Sequence, residues 1–143
     1  SLEPFWLGDS ANVEAMAYPT DLVAVRERHC VFVVDLFPRG IARFSDHGQF
    51  QLRLEEPARR SDGAWDPRGL DVDAHGRLLV TDSEHDCVHV FDADGRFLLS
   101  WGERGTGPGQ FSEPAGIAVG ADGKIYVTEV GNDRVQVFQW DTR

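Results

Sequence analysis

The stretch WGERGTGPGQFSEPAGIAVGADGKIYVTEVGNDRVQVF, residues 101–138, determines how the rest of the chain is interpreted. It contains three short apolar runs at 117–119, 125–128 and 135–138, and a fourth run ends at its first residue, Trp101. A turn of the sequence Ala-Asp-Gly-Lys and a polar loop separate the three later runs. Short β-rich runs divided by Gly, Asp and Asn residues predict antiparallel strands joined by tight turns.

The same pattern returns twice when the sequence is shifted by 47 residues. A proline opens each copy, and the first copy contains one extra residue near its start. The shift superimposes Asp35 on Asp82 and Glu129, and Phe44 on Phe91 and Phe138. A four-strand unit repeated every 40–50 residues or so is typical of β-propeller blades. The spacing therefore predicts an all-β chain built from three four-stranded blades.

The third copy resembles a specific family, the NHL repeat. The residues that carry the resemblance are Trp101-Gly102, Gly109-Gln110-Phe111, the run Pro114-Ala115-Gly116-Ile117-Ala118-Val119, Asp122-Gly123, Tyr126-Val127-Thr128 and the run Asn132-Asp133-Arg134-Val135-Gln136-Val137-Phe138. The second copy keeps much of this pattern, although it has His85-Asp86-Cys87 where the third has Asn132-Asp133-Arg134. The first copy is the weakest match. The resemblance implies a propeller of six blades that most often acts as a binding platform.

We interpret residues 1–143 as a single half-propeller domain. Blade one spans 19–54, blade two 67–101 and blade three 114–138, and the N-terminal strand Phe5-Trp6-Leu7 is expected to complete blade three. Three blades do not close a ring, since propellers use about four to eight. We therefore expect a homodimer that forms one six-bladed propeller, each N-terminal strand pairing with the other chain. The alternative is that the chain is a fragment of a longer propeller.

Composition limits the possible partners. The chain carries 14 basic and 24 acidic residues and a net charge of −10, which argues against nucleic acid, because phosphate binding needs a positive footprint. No apolar segment approaches the length of a membrane span. The two cysteines, Cys30 and Cys87, each precede a strand run and are expected to be small buried apolar residues, although a disulfide remains open.

Candidate binding residues lie in the loops that propellers present on one face. The Asp82–Asp86 loop holds three carboxylates and an imidazole in five residues, which suits a cation or acid–base chemistry. The favoured interpretation is structural, with Asp82 and Asp35 capping loop amides. The predicted binding residues are Phe37, Arg39, Trp65, Arg68, Asp82, Glu84, His85, Asn132 and Asp133.

Two functions of different classes follow. The preferred one is a non-enzymatic scaffold that binds a protein or peptide through aromatic and Arg anchors. The alternative is a propeller hydrolase or lyase with a divalent ion, such as calcium, in the central channel. The innermost strands offer only Asp21, Arg68, Asp71 and Asp73 for such chemistry. The five histidines show no zinc-type spacing, and His89 is expected on a blade surface, so we predict no cofactor.

Overall fold

The computed structural model of this chain describes residues 16–57 and 64–141. They form eleven strands and one short 3-10 turn, Arg26–Arg28. The strands are β1 (Pro19–Val25), β2 (Cys30–Leu36), β3 (Arg39–Ser45), β4 (Phe50–Arg53), β5 (Pro67–Val72), β6 (Leu78–Asp82), β7 (Cys87–Phe91), β8 (Phe97–Trp101), β9 (Pro114–Val119), β10 (Ile125–Glu129) and β11 (Arg134–Phe138). No helix among these residues is long and apolar enough to cross a membrane.

The strands form three antiparallel meanders, which we call blade 1 (β1–β4), blade 2 (β5–β8) and blade 3 (β9–β11). Blades 1 and 2 have four strands each, and blade 3 has three within the described residues. The predicted all-β fold of propeller blades is therefore confirmed. The expected fourth strand of blade 3, Phe5-Trp6-Leu7, lies outside the described residues.

Glycine supplies the tight turns that the repeat requires. Gly76, Gly95 and Gly123 have φ values of +76°, +86° and +85°, a left-handed conformation that side chains with a Cβ rarely adopt. In each case the glycine N–H closes the turn by donating to a carbonyl three residues earlier. These turns set the register of the meanders, so the His-Gly and Asp-Gly pairs of the sequence have a direct structural role.

Two apolar clusters join the blades face to face. The first lies between blades 1 and 2 and contains Phe32, Val34 and Ile41 together with Leu70, Leu78, Val80, Phe91 and Trp65. The second lies between blades 2 and 3 and contains Leu79, Val88 and Val90 together with Phe111, Ile125 and Val127. Blade 2 lies between these clusters, so both of its faces are covered. Every residue of β6 and β7 is therefore buried.

The two outer faces of this stack differ. On blade 1 the outer face is buried: Val33, Ala42 and Phe44 are at most 2% exposed, and Met16 and Phe50 pack against them. On blade 3 the outer face is open, and its exposed apolar side chains are Tyr126 (39%), Val135 (58%) and Val137 (55%). The residues 47 positions earlier in blade 2, Leu79, Val88 and Val90, are all 0% exposed because blade 3 covers them. The blade 3 face thus has the composition of a covered blade face.

Candidate functional site: a charged cavity between two blades

A polar cavity of about 900 Å³ opens where loops of blades 2 and 3 meet. It lies on what we call the loop face, the edge that carries the β2–β3, β6–β7 and β10–β11 loops and the β4–β5 and β8–β9 connections. Its lining residues are Asp66, Arg68, Ser83, Glu84, His85, Asp86, Arg104, Glu113, Ala115 and Val130. Both signs of charge therefore face one concave surface.

Asp82 shapes the β6–β7 loop that forms one wall of the cavity. Its Oδ1 atom accepts hydrogen bonds from the backbone N–H groups of Asp66, Glu84 and His85 at 3.0, 3.1 and 3.2 Å. Its Oδ2 atom lies 2.7 Å from His85 Nδ1 and 2.8 Å from His89 Nε2. A small acidic residue that satisfies several loop amides is a common way to fix a turn, as the sequence predicted.

The same contacts control the ionisation of Asp82. Burial alone would raise the pKa of this fully buried carboxyl. Hydrogen bonds from His89, from the Asp66 N–H and from His85 outweigh burial and hold the pKa of Asp82 well below its usual range. Asp82 is therefore an anion at physiological pH.

Asp66 joins blades 1 and 2 at the edge of the cavity. Its Oδ2 atom accepts from Arg68 Nε at 3.0 Å and from Arg68 Nη2 at 2.8 Å. Arg39 of blade 1 places its Nε atom 3.7 Å from Asp66 Oδ1. Both arginine side chains remain nearly half exposed, at 45% and 46%, so they can still contact a ligand.

Asp86 performs a similar task on the side of blade 3. Its Oδ1 atom accepts from the Glu113 N–H at 2.9 Å, and its Oδ2 atom lies 3.2 Å from Arg104 Nε. These bonds tie the β6–β7 loop to the β8–β9 connection. The backbone of Asp86 has a φ of +50°, and Asp133, 47 residues later, has +48°. The two loops therefore share one conformation, although they differ in side chains.

The corresponding loop of blade 3 is built around Glu129, which is 2% exposed. Its carboxylate accepts from Arg134 Nε at 2.6 Å, from Asn132 Nδ2 at 2.8 Å and from Gln136 Nε2 at 2.8 Å. Burial raises the pKa of Glu129, but these bonds together with the Ser112 N–H outweigh it and lower the pKa below the ordinary value. Arg134 also donates to the carbonyls of Thr106, Gly107 and Gln110, so this network holds the long β8–β9 connection in place.

Comparison with known proteins agrees with this architecture. The family model described as DUF5128, 6-bladed beta-propeller, matches residues 71–143, just over half of the chain. The chain belongs to the DUF5128 six-bladed β-propeller family. No curated protein sequence matches it.

Solved structures similar to this DUF5128 chain share little sequence identity with it. The catalytically inactive H270A virginiamycin B lyase from Staphylococcus aureus, solved with quinupristin, has a TM-score of 0.61 and 15% identity over 88% of this chain and 42% of its own. A streptogramin B lyase structure gives a TM-score of 0.61 and 20% identity over 85% and 40%. A gluconolactonase from Xanthomonas campestris has a TM-score of 0.58 and 20% identity, over 81% of this chain and 36% of its own. The chain thus spans about two fifths of the length of these structures, and the likeness establishes the fold.

The structure brings several predicted site residues of this DUF5128 chain to the loop face. Arg68, Glu84 and His85 line the cavity, and Arg39 reaches its edge through Asp66. Phe37 is 72% exposed in the neighbouring β2–β3 loop. All five residues therefore lie on the loop face, three of them in the wall of the cavity.

Other predicted site residues have structural roles instead. The prediction that Trp65 is a surface anchor is wrong: it is 3% exposed and packs in the cluster between blades 1 and 2, against Phe91 and His89. Asn132 binds Glu129 and the Gly105 carbonyl. Asp133 occupies the left-handed turn of its loop, and only Val130 of that loop lines the cavity.

The carboxylates expected to face the central channel support the backbone. Asp71 Oδ2 accepts from the Val119 N–H of blade 3 at 2.7 Å, and Asp21 Oδ2 accepts from the Leu70 N–H of blade 2 at 3.4 Å. Asp73 pairs with Arg77 at 2.7 Å. Each of these groups is engaged in holding strands or turns together.

His89 belongs to the site although its sequence pattern predicts a different position. His89 was expected on a blade surface, but it is 1% exposed and hydrogen-bonded to Asp82. Asp82, His85 and His89 each direct a ligand atom to one point, and these atoms lie within 4.8 Å of one another. The available signal was the 47-residue shift, which superimposes His85 and His89 on Asn132 and Gln136, two side chains that bind a buried carboxylate.

Proposed function

We propose that this chain is a non-enzymatic binding module whose loop face takes a protein or peptide segment. The observation that carries the proposal is the cavity between blades 2 and 3, where three loops place charged groups on one open surface and a fourth adds Val130. A rigid β scaffold that presents variable loops is a common arrangement for recognition. The resemblance of the blades to NHL repeats favours the same class of function.

The charges of the cavity indicate the chemistry of the ligand. Arg68 and Arg104 are already paired with Asp66 and Asp86. Glu84 and Glu113 are exposed, and neither forms an ion pair with another described residue. Val130, 63% exposed, lies beside them. We therefore propose a ligand segment that offers Lys or Arg side chains next to an apolar one, a charge complementary to the net −10 of the chain.

A binding role is favoured over the enzyme alternative by the use made of the channel carboxylates. Asp21 and Asp71 were the residues on which a channel metal would depend, and both accept backbone N–H groups of the neighbouring blade. Moving either carboxylate to a ligand would leave a strand N–H without its partner.

A panel of short labelled peptides tests the binding role directly. Half of the panel combines Lys or Arg with Leu or Val, and the other half replaces every basic residue by Glu. We expect the basic peptides to raise fluorescence anisotropy with the purified chain, and Glu84→Lys to weaken them by about tenfold or more. Glu27→Lys is the matched control, because it makes the same charge change at the exposed β1–β2 turn on the opposite edge. If no basic peptide binds, or both variants weaken binding equally, the proposed site is wrong.

We further propose that a second copy of the chain supplies the other three blades of the ring. The support is the open blade 3 face, whose equivalent in blade 2 is fully covered. In this assembly that face packs against blade 1 of the second copy. Since Val33 and Phe44 are buried in the single chain, the residues that cover them, Met16 among them, have to move when the ring closes.

A further inference from the structure

The buried polar networks of blades 2 and 3 occupy equivalent positions but differ in chemistry. In blade 3 the carboxylate of Glu129 is surrounded by Asn132, Arg134 and Gln136. The residues 47 positions earlier are Asp82, His85, Cys87 and His89. Blade 2 thus has an imidazole, a thiol and an imidazole where blade 3 has an amide, a guanidinium and an amide. All three replacements are side chains that bind transition metals.

Three of these side chains, Asp82, His85 and His89, bring ligand atoms within 4.8 Å of one another in blade 2, and Cys87 lies beside His89. Asp82 Oδ2 lies 2.7 Å from His85 Nδ1 and 2.8 Å from His89 Nε2. Cys87 faces Asp82 across the β6–β7 pair, and its Sγ atom lies 3.6 Å from His89 Nε2. Ligand atoms around a tetrahedral zinc ion are separated by about 3.3–3.7 Å, given bond lengths of 2.0–2.3 Å. The separation of Cys87 Sγ and His89 Nε2 already fits, and the two shorter separations need to open by about half an ångström. Cys87 lies outside the group of ligand atoms within 4.8 Å of one another, so its side chain has to move toward Asp82 and His85 when the ion binds.

The charge of the buried carboxylate is a second reason to expect a bound cation in blade 2. In blade 3, Arg134 supplies the positive charge that a buried carboxylate needs. Cys87 stands at that position in blade 2, so the positive charge beside the buried Asp82 has to come from His85 and His89 or from a bound cation. A divalent ion bound by one carboxylate, one thiolate and two neutral imidazoles forms a site with no net charge. The thiol proton of Cys87 is released to the solvent when the metal–sulfur bond forms.

We propose that Asp82, His85, Cys87 and His89 form a structural zinc site at the base of the loop face. Mixed O, N and S donors in a closed four-ligand set suit Zn²⁺ better than Ca²⁺ or Mg²⁺, which require oxygen ligands. His85 also lines the cavity, which gives the ion a path from solvent. Because His85 and the Asp82 loop form one wall of that cavity, the ion would stiffen the surface on which a ligand rests.

Cobalt(II) is the probe, because it takes zinc sites and absorbs visible light. We expect the chelator-treated chain to bind one Co²⁺ per molecule and to show ligand-field bands together with a thiolate-to-cobalt charge-transfer band. The double variant His85→Asn, His89→Gln installs the blade 3 residues and should lose both features. Zn²⁺ should displace the cobalt and raise the melting temperature of the original chain, but not that of the double variant.

Two single variants serve as controls for the cobalt experiment. Cys87→Ser should keep its circular dichroism and lose the charge-transfer band, which decides the question even if the double variant does not fold. His47→Asn is the surface control: His47 lies beside Asp46, 3.6 Å away, with 89% of its side chain exposed, and cobalt binding should not change. The proposal is overturned if the original chain gives no cobalt spectrum. It is equally overturned if the charge-transfer band survives in Cys87→Ser.

Discussion

Val90 and Val137 provide a test of the blade arrangement with identical chemistry at both positions. They lie 47 residues apart in the third strands of blades 2 and 3, and they are 0% and 55% exposed. Substitution by Ala removes two buried methyl-sized groups at Val90, at about 0.8 kcal/mol each. The cavity left between two packed blades adds to this loss, for a total of about 2–3 kcal/mol. Val137 is about half exposed, so its two methyl groups contribute roughly half as much and no cavity forms. The expected loss of unfolding free energy is therefore below about 1 kcal/mol.

Urea unfolding followed by tryptophan fluorescence measures both losses, with an unchanged m-value showing that the comparison is valid. The lower β-propensity of Ala affects both strands, so most of it cancels in the difference. Equal losses for Val90→Ala and Val137→Ala at low protein concentration would refute the stacking order described here. If a second copy covers blade 3, the cost of Val137→Ala should grow as the protein concentration rises.

Three further predictions concern polar and backbone contacts. Glu129→Gln should cost about 1–3 kcal/mol at neutral pH, because Arg134, Asn132 and Gln136 lose a charged acceptor. The pKa of Glu129 is lowered in the folded chain, so this cost should shrink as pH falls through the folded pKa in urea titrations at several pH values. Gly69→Ala should cost more than about 2 kcal/mol, because an added Cβ would lie 2.3 Å from the Ala115 carbonyl oxygen of the next blade. At Gly116 the nearest atom to an added Cβ is the Thr128 hydroxyl oxygen, at 3.0 Å. Calorimetry should therefore show a larger drop in melting temperature for Gly69→Ala than for Gly116→Ala. Asp71→Ala should cost about 1–3 kcal/mol and speed amide exchange in β9, which loses its 2.7 Å acceptor.

The sequence was sufficient to predict the architecture because the signals that define a blade are local. The Asp-Gly turns and the short apolar runs lie within a few residues of one another, and the 47-residue repeat multiplies each signal by three. The structural role of Asp82 was also predictable, since acidic residues at loop starts usually bind nearby amides. The order of the described strands followed from the same pattern.

The misplaced residues are those whose burial depends on distant contacts. Trp65 stands in a polar loop, and nothing near it in sequence shows that it enters the cluster between two blades. His89 alternates with two valines, which indicates an exposed position if only one face of the strand is covered. In blade 2 both faces are covered, so the alternation carries no such information. The cavity likewise depends on two blades meeting at an angle that no local pattern encodes.

We propose that this chain forms three blades of a six-bladed ring and that a second copy completes it. Absolute mass by light scattering across a dilution series tests the claim most directly. We predict a species near twice 15.9 kDa that dissociates on dilution, and Val137→Glu, on the open face of blade 3, should keep the fold while shifting the mass to that of one chain. A mass that stays at 15.9 kDa at every concentration would contradict the two-chain ring.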